Sequence, residues 1–208
     1  MSARIDRVVT SGQFCLDGGC WDVDNNIWII GDDADVLVVD AAHTAQPIID
    51  AVGDRNVVAV LCTHAHNDHV TVAPELGRRF NAPVLLHPDD EVLWKQTHPS
   101  VDYSPLADGQ RIAMADIEIR VIHTPGHSPG SVCLHMPALG AVCTGDTLFR
   151  AGPGATGRSY SDFPTIIESI RSRLFTLPAE TVVYTGHGPD TTIGAEAPHL
   201  QEWIARGS

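Results

Sequence analysis

Two sheets covered by helices, an α/β layered domain, is the architecture this sequence predicts. Three observations carry it. The chain has 208 residues, a length that fits one domain (1–208) with a sizeable core. Short apolar runs bounded by Gly, Pro, Asn and Asp recur along it and read as strands. Segments of helical period lie between those runs, and strands arriving in groups with helices between them fit a layered domain.

The elements follow in order. Residues 26–30 (NIWII) and 36–40 (VLVVD) flank the turn cluster GDDAD and read as a hairpin. Residues 45–52 suit a short helix. The β-branched run 57–63 (VVAVLCT) reads as a buried strand. A helix is expected over 71–80 and a strand over 83–87, followed by a loop near 97–110. Residues 111–114, 117–123, 131–136 and 141–144 are strand-like. Over 164–175, Ile166, Ile167, Ile170, Leu174 and Phe175 keep a helical period behind Pro164. A strand at 181–184 and a terminal helix at 196–206 complete the chain.

Composition narrows the function. Asp and Glu number 26 against 13 Lys and Arg, for a formal charge of −13. Such a field repels phosphate backbones and anionic lipid, which argues against nucleic acid and membrane partners. A local metal or arginine can still reverse the field in a cleft, so a small anionic substrate is allowed. No apolar run approaches the roughly 18 residues of a spanning helix, and the start resembles no secretory signal, so the chain reads as cytoplasmic. Cys62, Cys133 and Cys143 lie in apolar runs and read as buried small hydrophobes. Cys15 and Cys20 flank a Gly-rich stretch and read as loop packing, not as a metal or redox pair.

The chemistry concentrates in Thr63-His64-Ala65-His66-Asn67-Asp68-His69, directly after a buried strand. His64 and His66 would point together, and Asp68 and His69 toward a second point, so one loop can serve two metal ions. His127 in TPGHSPG, Asp146 in CTGDTLF and His187 in YTGHGPD each follow an apolar run beside Gly, where the backbone can bend closely around a site. Five His and two Asp are about what two ions sharing a carboxylate need.

With these motifs the chain resembles the metallo-β-lactamase superfamily over roughly residues 25–195, and within it the hydroxyacylglutathione hydrolases (glyoxalase II). The resemblance implies an αββα sandwich with its site at the edge of two facing sheets. It places His64, His66 and His127 on one ion, Asp68, His69 and His187 on the other, and Asp146 between them. Asp68 is carried as a catalytic residue as well as a ligand. Asp40 would be the acid behind the His-rich loop, and Arg158 and Tyr160 would contact the thiol carrier. Two divalent ions are implied, zinc first, with iron or manganese also suited to His and Asp donors.

The implied reaction is hydrolysis of a small thioester by a hydroxide held between the ions, because metal binding lowers the pKa of water to about 7. Only Arg206 adds positive charge after His187, which argues against glutathione as the carrier. The chain has 12 Arg and a single Lys, a bias of GC-rich genomes, and S-acyl or S-formyl mycothiol is the carrier that fits. Two alternatives share the fold. One is a persulfide dioxygenase with one iron on His64, His127 and Asp146; the other is a lactonase. The sequence leaves the oligomeric state open.

Overall fold

In the computed structural model, residues 2–207 are described. The first sheet has the order β1-β2-β3-β4-β5-β6, built from Arg4–Leu16, Gly19–Gly31, Asp35–Val39, Asn56–Leu61, Val84–Leu86 and Ser104–Pro105. Helices α1 (Ala45–Val52), α2 (Asn67–Val70), α3 (Ala73–Phe80) and α4 (Glu91–Thr97) belong to this half. The second half supplies β7 (Arg111–Met114), β8 (Ile117–His123), β9 (Val132–Met136), β10 (Ala141–Gly145), a small ribbon of β11 (Leu148–Phe149) and β12 (Gly152–Pro153), then β13 (Val182–Thr185) and β14 (Thr191–Thr192). Its sheet runs β14-β13-β10-β9-β8-β7. Helices α5 (Phe163–Ser169), α6 (Ile193–Glu196) and α7 (Leu200–Arg206) complete it.

The apolar runs are continuous because both faces of each sheet are covered. Trp28, Ile30, Leu37, Val39 and Leu61 face Ile119, Val121, Leu134 and Cys143 between the sheets. Their neighbours in sequence, among them Ile29, Val38 and Val60, turn outward onto Ile48, Val52, Leu76 and Trp94 of the first helical layer. On the far side Cys133, Val142 and Val183 meet Ile166, Ile170, Leu174 and Trp203. The result is a mixed α/β single domain, two sheets flanked by helices, as the patterning predicts.

Three local expectations are corrected. The Gly-rich stretch at 15–20 is no loop but the tip of a long hairpin, with Asp17 and Gly18 both at positive φ in a two-residue turn. Cys15 and Cys20 lie opposite each other in that hairpin and form a disulfide, so they are not merely loop packing. Residues 91–97, left out of the expected helices, form α4 because Leu93 and Trp94 bury one face. The helix expected over 164–175 begins one residue earlier, capped by Asp162 accepting from Thr165 N, and relaxes into a π-helical turn over Ile170–Leu174.

The two sheets are also tied by polar bonds at one edge. Asn26, fully buried in β2, donates from Nδ2 to the carbonyls of Thr185 (2.9 Å) and Gly188 (3.0 Å), and Trp28 Nε1 donates to the Thr185 carbonyl (3.1 Å). These bonds fix the turn after β13 against the first sheet. Asn26→Ala removes two hydrogen bonds between the sheets, leaving Trp28 as the donor to the Thr185 carbonyl, and is expected to lower stability by about 2 kcal/mol in urea unfolding.

Candidate metal centre

Seven side chains from four segments meet where the strands of both sheets end. The loop after β4 brings His64, His66, Asp68 and His69; α2 begins at Asn67 and carries the last two inward. The turn after β8 brings His127, the end of β10 brings Asp146, and the turn after β13 brings His187. Each of these turns needs a glycine for space. A Cβ at Gly186 would lie 2.2 Å from Asp146 Oδ1 and 2.8 Å from His69 Cε1, and one at Gly126, where φ is +132°, would run into the backbone of Ile166.

The donor atoms form two clusters. His64 Nε2 lies 3.1 Å from His66 Nδ1, which lies 3.0 Å from His127 Nε2. In the second, His69 Nε2 and His187 Nε2 are 3.2 Å apart, and Asp68 Oδ2 lies 3.5 and 3.3 Å from them. Asp146 lies between the clusters: Oδ2 is 3.5 Å from His127 Nε2 and 3.4 Å from His187 Nε2, and Oδ1 is 3.3 Å from His69 Nε2. Donors about 2.1 Å from one tetrahedral ion stand about 3.4 Å from one another. The observed spacings match that figure.

The surroundings fix which ring nitrogen faces inward. His127 Nδ1 donates to the Ala155 carbonyl (2.9 Å), and His187 Nδ1 to the Asp24 carbonyl (2.8 Å). His69 Nδ1 donates to Asp40 Oδ2 (3.0 Å). Thr63 Oγ1 gives its proton to Asp40 (2.8 Å) and so accepts from His64 Nδ1 (3.1 Å). Four histidines therefore turn Nε2 toward one small space, the arrangement that second partners impose on metal-binding imidazoles. Asp68 Oδ1 is buried with no hydrogen-bond partner among the described residues. Unpartnered buried carboxylate oxygen beside convergent nitrogens fits a cation.

Electrostatics agree. Burial works against ionisation of Asp68, but His69 and hydrogen bonds from His187 and Asn25 outweigh it and hold its carboxyl at about 2. Burial would lower His187, yet the Asp146 and Asp68 carboxylates raise it to about 10, and His69 is raised in the same way. His66, buried beside His127, is pushed down to about 3.

Asp40 sits behind the loop, fully buried, in the left-handed region at φ 58°. Its Oδ1 accepts from Thr63 N (2.7 Å) and its Oδ2 from Thr63 Oγ1 and His69. Several supports escaped the sequence reading. Asp90 accepts from Ala65 N (2.8 Å), Ser128 Oγ (2.8 Å) and Gly130 N (2.5 Å), and so joins the loop of His64 and His66 to that of His127. Asn25 donates to Asp68 Oδ2 (3.1 Å) and is itself held by His43 Nε2 (2.7 Å). The polar pair Asn25-Asn26, directly before the apolar run Ile27–Ile30 of the same strand, was the available signal.

A cavity of about 320 Å³ opens over the cluster. Phe14, Trp21, Val23 and Phe149 line its apolar side and Arg158 stands at its rim. The Arg158 guanidinium lies 3.7 Å over the Trp21 ring and 5.4 Å from Phe14. Tyr160 is not brought to the cavity: at φ 69° its half-exposed ring turns away, and its hydroxyl lies 3.5 Å from Gln96 Nε2.

Residues 21–187 match the sequence profile of the metallo-beta-lactamase superfamily. The chain belongs to that superfamily. An uncharacterized protein of Rhodococcus erythropolis is 42% identical over 78% of this chain and 92% of its own length. A probable metallo-hydrolase of Bacillus subtilis is 31% identical over 83% and 88%. The crystal structure of TTHA1623 in a di-iron-bound form superposes with a TM-score of 0.76 at 30% identity, covering 84% of this chain and 93% of that one. This metallo-β-lactamase-fold chain is thus of metallo-hydrolase type, with a divalent-metal centre.

Two outcomes are expected. The protons held by His69 and His187 must leave when a cation binds, so apparent metal affinity rises with pH between 6 and 8, about tenfold per unit for each proton displaced, in competition with a chromophoric chelator. Asp146→Ala removes the carboxylate between the clusters, and elemental analysis is expected to find metal lost from both; unchanged content would remove Asp146 from the centre.

Proposed function

We propose that the protein hydrolyses thioesters of small thiols, in the manner of the glyoxalase II branch. One observation carries the reading. Apart from the metal cluster itself, the only ionisable side chain lining the cavity among the described residues is Arg158, whose proton is never given up. An amine or alkoxide leaving group needs a proton donor; a thiolate, with a thiol pKa of about 8.5, does not.

His64, His66 and His127 would hold one ion, Asp68, His69 and His187 the other, with Asp146 shared. Zinc is the ion we assign first; the donor set also takes iron or manganese, and the similar di-iron structure keeps iron in view. Bound ions would supply Lewis acidity and a water acidic enough to attack near neutral pH. The chain's residues do the rest. The apolar wall of Phe14, Trp21 and Val23 excludes bulk water from one side of the acyl group. Asp68, held ionised by His69 and by hydrogen bonds from His187 and Asn25, would orient the attacking water. The Arg158 guanidinium makes no hydrogen bond to a protein acceptor among the described residues, only its stacking on Trp21 and Phe14, and its donors are available to an amide or carboxylate of the thiol carrier. Tyr160 has no part in this reading.

The test is metal-dependent release of free thiol from lactoyl and formyl thioesters of glutathione, mycothiol, bacillithiol and coenzyme A. Release from a mycothiol ester above the others is expected. Arg158→Ala should raise KM about tenfold with kcat within twofold, the pattern of lost carrier binding. No release from any ester, with oxygen uptake by iron-loaded protein on a persulfide, would overturn thioester hydrolysis in favour of dioxygenation; turnover of lactones alone would do so in favour of a lactonase.

A further inference from the structure

The hairpin of β1 and β2 is longer than anything beside it. Each strand has 13 residues, yet β2 pairs with β3 only from Trp28 to Gly31. Residues 12–23 therefore have only each other as sheet neighbours, and a two-stranded ribbon is marginal alone. This overhanging tip supplies Phe14 and Trp21 to the cavity.

The tip also holds the rest of the rim. Asn67, between His66 and Asp68, accepts from Cys15 N and donates to the Gln13 carbonyl, both at 2.7 Å. Asp17 Oδ2 accepts from Ser159 N (2.9 Å), and Trp21 carries the Arg158 guanidinium on its face. Phe14 and Trp21 are directly opposed, so the next pair, Cys15 and Cys20, points to the other face of the ribbon. The disulfide thus staples the tip from behind, out of the cavity, with both cysteines exposed. Exposed disulfides are the labile ones. Cys62, Cys133 and Cys143 are fully buried, which leaves this pair as the one that solvent thiols can reach among the described residues.

We propose that Cys15–Cys20 is a redox-controlled staple of the cavity rim, governing substrate binding and not the metal centre. Two equivalents of a low-molecular-weight thiol reduce it: the S–S bond breaks, each cysteine gains a proton and an electron, and the reductant leaves as its own disulfide. The tip then loses its cross-link, and the links from Asp17 to Ser159 and from Trp21 to Arg158 loosen together. The metal cluster keeps its anchors on Asp40, Asp90 and the Ala155 carbonyl. The inference concerns the rim of the cavity and holds for whatever substrate the centre takes.

The experiment compares metal-loaded protein, oxidised and after reduction by a phosphine, with the Cys15→Ser/Cys20→Ser double variant. Mass after alkylation reports the bond, hydrogen exchange reports the rim, and elemental analysis reports the metal. Reduced protein and the double variant are expected to exchange about fivefold faster or more over 10–23 and 157–161, with 34–40 unchanged and metal content equal. On the thioester that is turned over, KM should rise about three- to tenfold with kcat within twofold. A pair that stays reduced under oxidant, equal exchange in both states, or metal lost on reduction would each overturn the staple. Absence of thioester turnover would overturn the proposed function alone, because exchange still reads the rim.

Discussion

Everything in the centre depends on the carboxylate of Asp40. It is a buried acid at the end of β3, and it spends both oxygens on the loop after β4, on the Thr63 backbone, the Thr63 hydroxyl and the His69 ring. A buried carboxylate is tolerated only when hydrogen-bonded or paired. Here its partners are the very groups that aim His64 and His69. The left-handed backbone at Asp40 is the kind of strain that persists where surrounding contacts over-determine it.

The centre also concentrates both signs of charge within a chain whose formal charge is −13. Asp68 and Asp146 add negative charge inside the domain, balanced by protonated His69 and His187 or by cations in their stead. Arg158 adds positive charge at the rim, flattened on an aromatic ring that leaves its edge donors accessible.

Much of this was legible in the residues. The strand pattern was readable because the central strands β3, β4 and β10 are apolar runs, and the seven clustered side chains were readable because few chemistries other than metal binding gather His and Asp after strand ends. What escaped was of another kind. The Asp17-Gly18 turn is a strong hairpin signal, but the flanking residues are polar or exposed on the overhang, so no alternation marked the strands. Asp90 lies in the ordinary-looking run HPDDE, and its role arises only from the approach of Gly130, distant in sequence. Tyr160 rested on the family resemblance of its stretch, and the sequence could not report that positive φ turns it outward.

The overhang has a consequence for how such a protein changes over generations. Gly186 is confined, since any side chain there collides with the cluster. At the tip of the hairpin Leu16 is buried in the core and a Cβ at Gly12 would meet the His43 ring, but Gln13, Asp17, Gly18 and Asp22 stand exposed and under no comparable restriction. Mutational drift can therefore rewrite the cavity wall while the chemistry beneath is inherited intact. New substrate preferences would arise first among the exposed residues on either side of the Asp17-Gly18 turn.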